Sequence, residues 1–265
     1  MKKKLILIAM CCALAVGATA CGAAEKTGDI VSKAGEAASE IINEAGSAVD
    51  GAVSDVTSGT TSNTQTATIE NADDAIRALQ AGNESYLSGT ATMNVSESLR
   101  TDLATNGQKP HTVVITCSDS RVPPELLFNS GLGELFVIRT AGNVVDEFEI
   151  GSVEYAADHL GSPLVLVMGH SHCGAVGAAV EGHAEGNIES IVEEITPSVE
   201  KAKEEATSED EITTKAEDLN VENSIKNLRE SEILKGLEDS GKIKIVGAKY
   251  DIDTGKVTFF DNTNK

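Results

Sequence analysis

Five short apolar runs constrain this chain more than any other feature. Thr112-Val113-Val114-Ile115-Thr116, Leu135-Phe136-Val137-Ile138, Leu164-Val165-Leu166-Val167-Met168, and residues 243–250 and 257–260 are nearly continuous in apolar side chains. A strand with one wet face alternates apolar and polar residues, whereas a strand covered on both faces does not. Segments with helical spacing at 73–87, 152–160, 175–181, 188–205 and 221–237 lie among these runs. In the first of them Ala75, Leu79 and Tyr86 are the residues expected to face inward. Buried strands alternating with helices predict an α/β domain with a mostly parallel central β-sheet flanked by helices. That domain is expected over residues 69–265, long enough for one substantial core.

The chain ahead of it differs in character. Lys2, Lys3 and Lys4 precede an apolar stretch that ends in Ala18-Thr19-Ala20 before Cys21. This reads as an export signal over residues 1–20 rather than as a spanning helix. It resembles a bacterial lipoprotein signal, which implies lipidation of Cys21 and membrane attachment through it. The domain would then sit outside the cytoplasm, at the cell envelope or surface; plain secretion with cleavage near Ala20 is the alternative. Residues 21–68 contain no aromatic residue and are rich in Ala, Ser, Thr and Gly, as expected of a lipidated N-terminus and low-complexity tether. A weakly amphipathic helix through Ile30, Ala34, Ala37, Ile41 and Ala45 is a second reading of its first part. The formal charge of -21, about -24 without residues 1–20, argues against nucleic acid as a partner.

Within the domain, Cys117 directly follows one strand run and His170-Ser171-His172-Cys173 closely follows another. Both therefore belong to carboxyl ends of strands, where open α/β sheets take their ligands. Zinc prefers thiolate and imidazole and binds four donors tetrahedrally, so Cys117, His170 and Cys173 leave a fourth position for water. An open position marks a catalytic rather than a structural site. His172 is a rival donor, although neighbouring residues on a turn rarely aim at one ion. His111, His159 and His183 read as a strand-start residue, a surface helix residue and an exposed residue. A Cys117–Cys173 disulfide would explain neither the His170-x2-Cys173 spacing nor the nearby Asp119 and Arg121. A guanidinium beside Asp119 would keep that carboxylate ionised and oriented as an acceptor.

Gly142 and Gly174 permit close backbone approach near the site. A helix opening after Gly174 would aim N–H groups at the cleft, which suits a small anion. Neither a dinucleotide glycine pattern nor a P-loop is present. The acidic segment 182–218 reads as a solvated helix pair and loop on the rim, away from the metal. It lacks the residue order of a calcium loop.

Four blocks in order carry a likeness to one family. Residues 117–123 (Cys-Ser-Asp-Ser-Arg-Val-Pro), 133–143 (Gly-Glu-Leu-Phe-Val-Ile-Arg-Thr-Ala-Gly-Asn), 169–176 (Gly-His-Ser-His-Cys-Gly-Ala-Val) and 247–255 (Gly-Ala-Lys-Tyr-Asp-Ile-Asp-Thr-Gly) resemble the β-class carbonic anhydrases. The resemblance implies Zn2+ on Cys117, His170 and Cys173, an orienting pair of Asp119 and Arg121, and reversible hydration of carbon dioxide to bicarbonate and a proton. It further implies substrate contacts from Gln108, Phe136, Tyr155 and the backbone at Gly174. A homodimer or higher even-numbered homo-oligomer follows from the same likeness, with the cleft near a subunit boundary. The chain has no Trp, which favours the plant-like, open-site subgroup over the one in which Asp119 displaces water from the metal. Arg139-Thr140-Ala141 replaces the family's commoner Arg-Asn-Ala. Two thiolate ligands add negative charge to the ion, so activity is expected to favour alkaline pH. Hydrolysis of carbonyl sulfide or carbon disulfide on the same scaffold is an alternative, as is a non-catalytic, zinc-stabilised surface lipoprotein.

Overall fold

A computed structural model describes residues 69–260. The expected signal, the lipidation residue Cys21 and the tether lie outside the described residues. Helix α1 (Ala72–Leu87) starts at Asn71, whose side-chain oxygen accepts the N–H groups of Asp73 and Asp74. As expected, Ala75 and Leu79 are fully buried. Helix α2 (Glu97–Asn106) was not anticipated; it buries none of its residues and so carries no apolar stripe to read. Strand β1 (Thr112–Cys117), the short α3 (Pro124–Leu127) and strand β2 (Leu135–Thr140) follow.

After a 3-10 turn at Ala141–Asn143 comes α4 (Glu147–Glu154), which begins in a capping box formed by Asp146 and Glu149. It runs on as a π-helical turn over Tyr155–His159, so the helix expected at 152–160 starts earlier and ends irregularly. Strand β3 (Leu164–His170), α5 (Gly174–Glu181), α6 (Ile188–Glu205), α7 (Glu209–Leu228), α8 (Glu232–Asp239), β4 (Lys244–Tyr250) and β5 (Val257–Phe259) complete the domain. The single helix expected at 221–237 is two helices. The chain turns at 229–231, and Ser231 caps α8 by accepting the N–H of Leu234. Among the described residues no helix is long and apolar enough to cross a membrane.

The sheet order is β2-β1-β3-β4-β5, with the first four strands parallel and β5 antiparallel. Side chains of β1 and β3 alternate between two cores. Val113, Ile115, Val165 and Val167 pack with α4, α7 and α8, and Val114, Leu166 and Met168 pack with α1. From β1 the chain moves outward to β2, then crosses back to place β3 on the other side of β1 and continues to β4. The loops leaving β1 and β3 therefore depart in opposite directions. That reversal opens a crevice at the carboxyl ends of two adjacent strands. Cys117 and His170 are the last residues of those strands.

The segment 182–218 departs from expectation. Instead of a solvated rim, α6 and α7 contribute Ile195, Val199, Ala202, Ala216 and Leu219 to a third apolar cluster, which also contains Cys117 and Cys173. Most acidic side chains occupy the outer faces, with Glu217 buried on the inner one, and the inner faces pack on the two cysteines.

Below the sheet, Gly82 of α1 lies against the end of α3; a Cβ there would stand 1.8 Å from the Phe128 carbonyl oxygen. Next to it, buried Asn83 donates to the carbonyls of Leu127 and Gly255 and accepts from Val257 N–H. Because backbone rather than a flexible side chain blocks the space, Gly82→Ala should cost about 3 kcal/mol, the upper end for overpacking. A denaturant midpoint unchanged from the parent would contradict this packing.

Candidate metal centre

Three chain segments meet at the crevice. Cys117 ends β1, His170 ends β3, and Cys173 caps α5 from the following turn. Their ligand atoms all lie within 4.8 Å of one another, and all three residues are buried. Among the described residues this is the only such group of three, and Asp119 is not part of it. Both thiols are free, so the cluster is not a disulfide.

The imidazole tests whether a metal fits. His170 Nδ1 donates to the Ser171 carbonyl oxygen at 2.8 Å, which leaves the lone pair on Nε2. His170 Nε2 is buried and has no hydrogen-bond partner. A buried acceptor without a partner is costly, and a cation between two sulfur atoms is the partner this one lacks. The soft S, N, S donor set suits zinc and leaves one tetrahedral position open.

Charge in the cluster is already partly arranged. Cys117 is pulled down to about 4, chiefly by a hydrogen bond from the Cys173 thiol, with further help from His170 and the backbone at Gly142 and Asp119. The Gly142 N–H reaches Cys117 Sγ at 3.3 Å. Cys173 moves the opposite way, upward, because it donates to Cys117 and is buried.

Asp119 and Arg121 are joined as expected. Asp119 Oδ1 accepts Arg121 N–H at 2.9 Å and Nε–H at 3.0 Å, and Oδ2 accepts Nη2–H at 2.7 Å. These bonds, the side-chain ones first, hold Asp119 well below the usual carboxylate range. Arg121 Nη2 also donates to the His172 carbonyl at 3.2 Å, linking this turn to the one bearing the ligands. His172 itself is no competitor for the cluster. Its backbone is left-handed, with φ 58°, and its Nε2 lies 2.8 Å from Asp253 Oδ2 at the surface.

Several residues that hold the site were not singled out in the sequence. Arg139 Nε donates to the Cys117 carbonyl at 3.0 Å and its Nη2 to the Asp119 carbonyl at 2.6 Å, so it braces the whole 117–119 segment. Glu217, from the acidic segment, accepts the Cys173 N–H at 3.2 Å. That contact corrects the expectation that the segment stays clear of the centre. Its signal was a polar residue interrupting an apolar helical stripe, between Ala216 and Leu219.

Three substrate residues expected from the likeness are not gathered here within one chain. Gln108 is exposed, in the chain leading into the opposite end of β1. Phe136 pairs with Val113, four residues before Cys117, roughly 13 Å down the strand. Tyr155 lies one residue beyond α4, its ring 6.2 Å from that of Phe136, and is 48% exposed. Gly174 does lie at the cluster, as the first residue of α5, and a Cβ there would meet open space.

A sequence model described as carbonic anhydrase matches residues 112–257, a stretch that contains every donor of the cluster. This chain belongs to the carbonic anhydrase family. Carbonic anhydrase 2 of Mycobacterium tuberculosis is 48% identical over 108 residues, covering 40% of this chain and 51% of that protein. A Synechococcus elongatus carbonic anhydrase is 33% identical over 170 residues, 60% of this chain and 62% of its own length. The chain thus spans about half the length of the Mycobacterium relative it matches. Among solved structures, a tetrameric β-carbonic anhydrase of the ascomycete Sordaria macrospora superposes with a TM-score of 0.58 at 25% identity, covering 71% of this chain and 97% of the other. The Coccomyxa β-carbonic anhydrase in complex with acetazolamide gives 0.55 at 30% identity, covering 71% and 82%. The α/β fold with its mostly parallel sheet is therefore the β-carbonic anhydrase fold.

Ligand assignment has a direct test. His172→Gln should keep one zinc per chain by metal analysis, because its ring is turned to Asp253, whereas His170→Gln should lose most of the metal. Loss of zinc in His172→Gln alone would reverse the assignment.

Proposed function

We propose that this chain catalyses the reversible hydration of carbon dioxide to bicarbonate and a proton, with zinc held by Cys117, His170 and Cys173. The observation that carries the reading is the partnerless, lone-pair-bearing His170 Nε2 buried beside two free thiols. Zinc in such a site acidifies water and so supplies a nucleophile near neutral pH. Asp119, fixed through both oxygens by Arg121, serves as the acceptor that orients this nucleophile and receives its hydrogen bond. Because Arg121 engages both of its oxygens and it stands outside the donor cluster, the Asp119 carboxylate would leave the fourth metal position to water. This, with the absence of Trp from the chain, supports the plant-like, open-site form. The open space beside Gly174 admits a small substrate to the backbone there.

Gln108, Phe136 and Tyr155 fit this reading as groups that reach a centre across a subunit boundary. Phe148, 78% exposed, and Tyr155 lie seven residues apart, near one face of α4 and its extension. Tyr155 packs near Phe136 of β2, whose outer edge is unpaired among the described residues. An apolar face beside an open strand edge favours a second copy of the chain, in a dimer or larger even-numbered assembly. The tetrameric relative supports such an assembly. Lipid anchoring through Cys21 and export of the domain are supported by the leader sequence alone.

Stopped-flow hydration of carbon dioxide by zinc-loaded protein tests the activity. Wild type should turn over rapidly, Asp119→Ala should fall about a hundredfold or more, and Cys173→Ser should be nearly inactive. Absence of hydration by fully zinc-loaded wild type would refute the proposed activity. Phe148→Glu should halve the mass seen in sedimentation and lower the rate with it. Full activity in a monomeric Phe148→Glu protein would remove the shared-pocket role of Gln108, Phe136 and Tyr155.

A further inference from the structure

Helix α7 presents three polar residues, Glu217, Asn220 and Ser224, at spacings of three and four, so they share one face. They are 4%, 1% and 2% exposed, respectively. Each donates to or accepts from a loop around the metal cluster. Glu217 Oε1 accepts the Cys173 N–H at 3.2 Å. Asn220 Nδ2 donates to the Gly142 carbonyl at 2.7 Å, and Ser224 Oγ to the Asn143 carbonyl at 2.9 Å. Gly142 is the residue whose N–H meets Cys117 Sγ. One helix face thus grips the turn of one sulfur ligand and the turn that supports the other.

A carboxylate buried this deeply needs a counter-charge. Lys249 of β4 provides it, with Nζ 2.8 Å from Glu217 Oε2. Lys249 is in turn fixed by Asp218 at 2.9 Å and the Thr214 carbonyl at 3.2 Å. Glu217 is therefore immobilised at one oxygen and presents the other to Cys173. An apolar side chain would fill the same volume without the cost of burying two charges. What it could not supply is an acceptor at the Cys173 N–H.

We propose that Glu217 is a positioning residue for the metal site, holding the Cys173 turn so that its sulfur is aimed at the ion before the ion arrives. The proposal rests on the reading that a metal occupies the Cys117–His170–Cys173 cluster. Partners behind metal ligands typically change affinity by about 10–100-fold when removed.

Two double variants separate the hydrogen bond from the charge. Glu217→Gln with Lys249→Met removes the ion pair but keeps an acceptor of the same reach. Glu217→Met with Lys249→Met removes both. Zinc affinity of the full chain is read by competition with a chromophoric chelator. The thiolate-to-cobalt absorption of the cobalt(II)-loaded protein reports ligand geometry independently of activity. The Gln variant should bind zinc within about threefold of wild type with an unchanged cobalt spectrum, and the Met variant should bind at least about tenfold more weakly with a shifted band. Equal affinity in the two variants overturns the proposal. If the Met variant does not fold, Glu217→Asp, which keeps the charge and Lys249 but is one methylene shorter, takes its place, with the same tenfold loss expected and wild-type affinity counting against the proposal. Failure of wild type itself to bind zinc tightly would instead remove the metal reading on which this rests.

Discussion

Two sulfur atoms and one ring nitrogen from three chain segments must converge within bonding reach of a single point, and none of those segments can hold the position alone. Cys117 is placed by its pairing with Thr140 of β2 and His170 by its pairing with Tyr250 of β4, and the parallel pairing of β1 with β3 sets the two strands side by side between cores on both faces. Cys173 has no strand to hold it. It sits after a left-handed residue at the mouth of a short helix, and its place depends on side chains that reach in from elsewhere. Arg121 ties the His172 carbonyl to the loop after β1, and Glu217 ties the Cys173 N–H to α7. The crevice exists because of topology, but the cluster within it is assembled by side-chain-to-backbone bonds. Such bonds fix geometry better than apolar packing, which is largely non-directional.

This division explains what the sequence revealed. Runs without polar alternation announced β1, β2 and β3, and for β1 and β3 also their burial, because two covered faces leave no polar period to see; β2, at the sheet edge, is only half-buried. The boundaries of α6 at Ile188–Glu205 were legible for a similar reason, as a helical stripe bounded by polar turns. Helix α2 was not, since it buries nothing. The break between α7 and α8 was missed because apolar residues keep a helical rhythm across 229–231, and only the cap formed by Ser231 marks the new start.

The centre itself was legible in its donors and in the Asp119–Arg121 pair, but not in its other supports. Cys117, His170 and Cys173 are chemically distinctive residue types, and their positions after strand runs placed them together. Glu217 is one acid among many in the segment 182–218, and composition assigned it to solvent. Its burial depends on Lys249, which is 32 positions away and meets it only after β4 has paired with β3. Gln108, Phe136 and Tyr155 fail for another reason. A motif can carry a residue's identity, but not whether that residue acts in its own protomer or in a neighbour's.

Electrostatics connects these observations. The region around the cluster contains two potential thiolates and two carboxylates, four negative charges in a largely buried volume. Each carboxylate has a fixed cation, Asp119 with Arg121 and Glu217 with Lys249, which it shares with Asp218. At the sulfurs themselves, Cys117 is pulled down and Cys173 pushed up by their mutual contact. A divalent cation changes this balance, since two thiolates then neutralise it and the second proton must leave. A stronger local negative charge would hold water bound to such an ion back from ionising. The two carboxylate–cation pairs thus do more than brace loops. They offset the Asp119 and Glu217 carboxylates, so that less negative charge stands against the sulfurs.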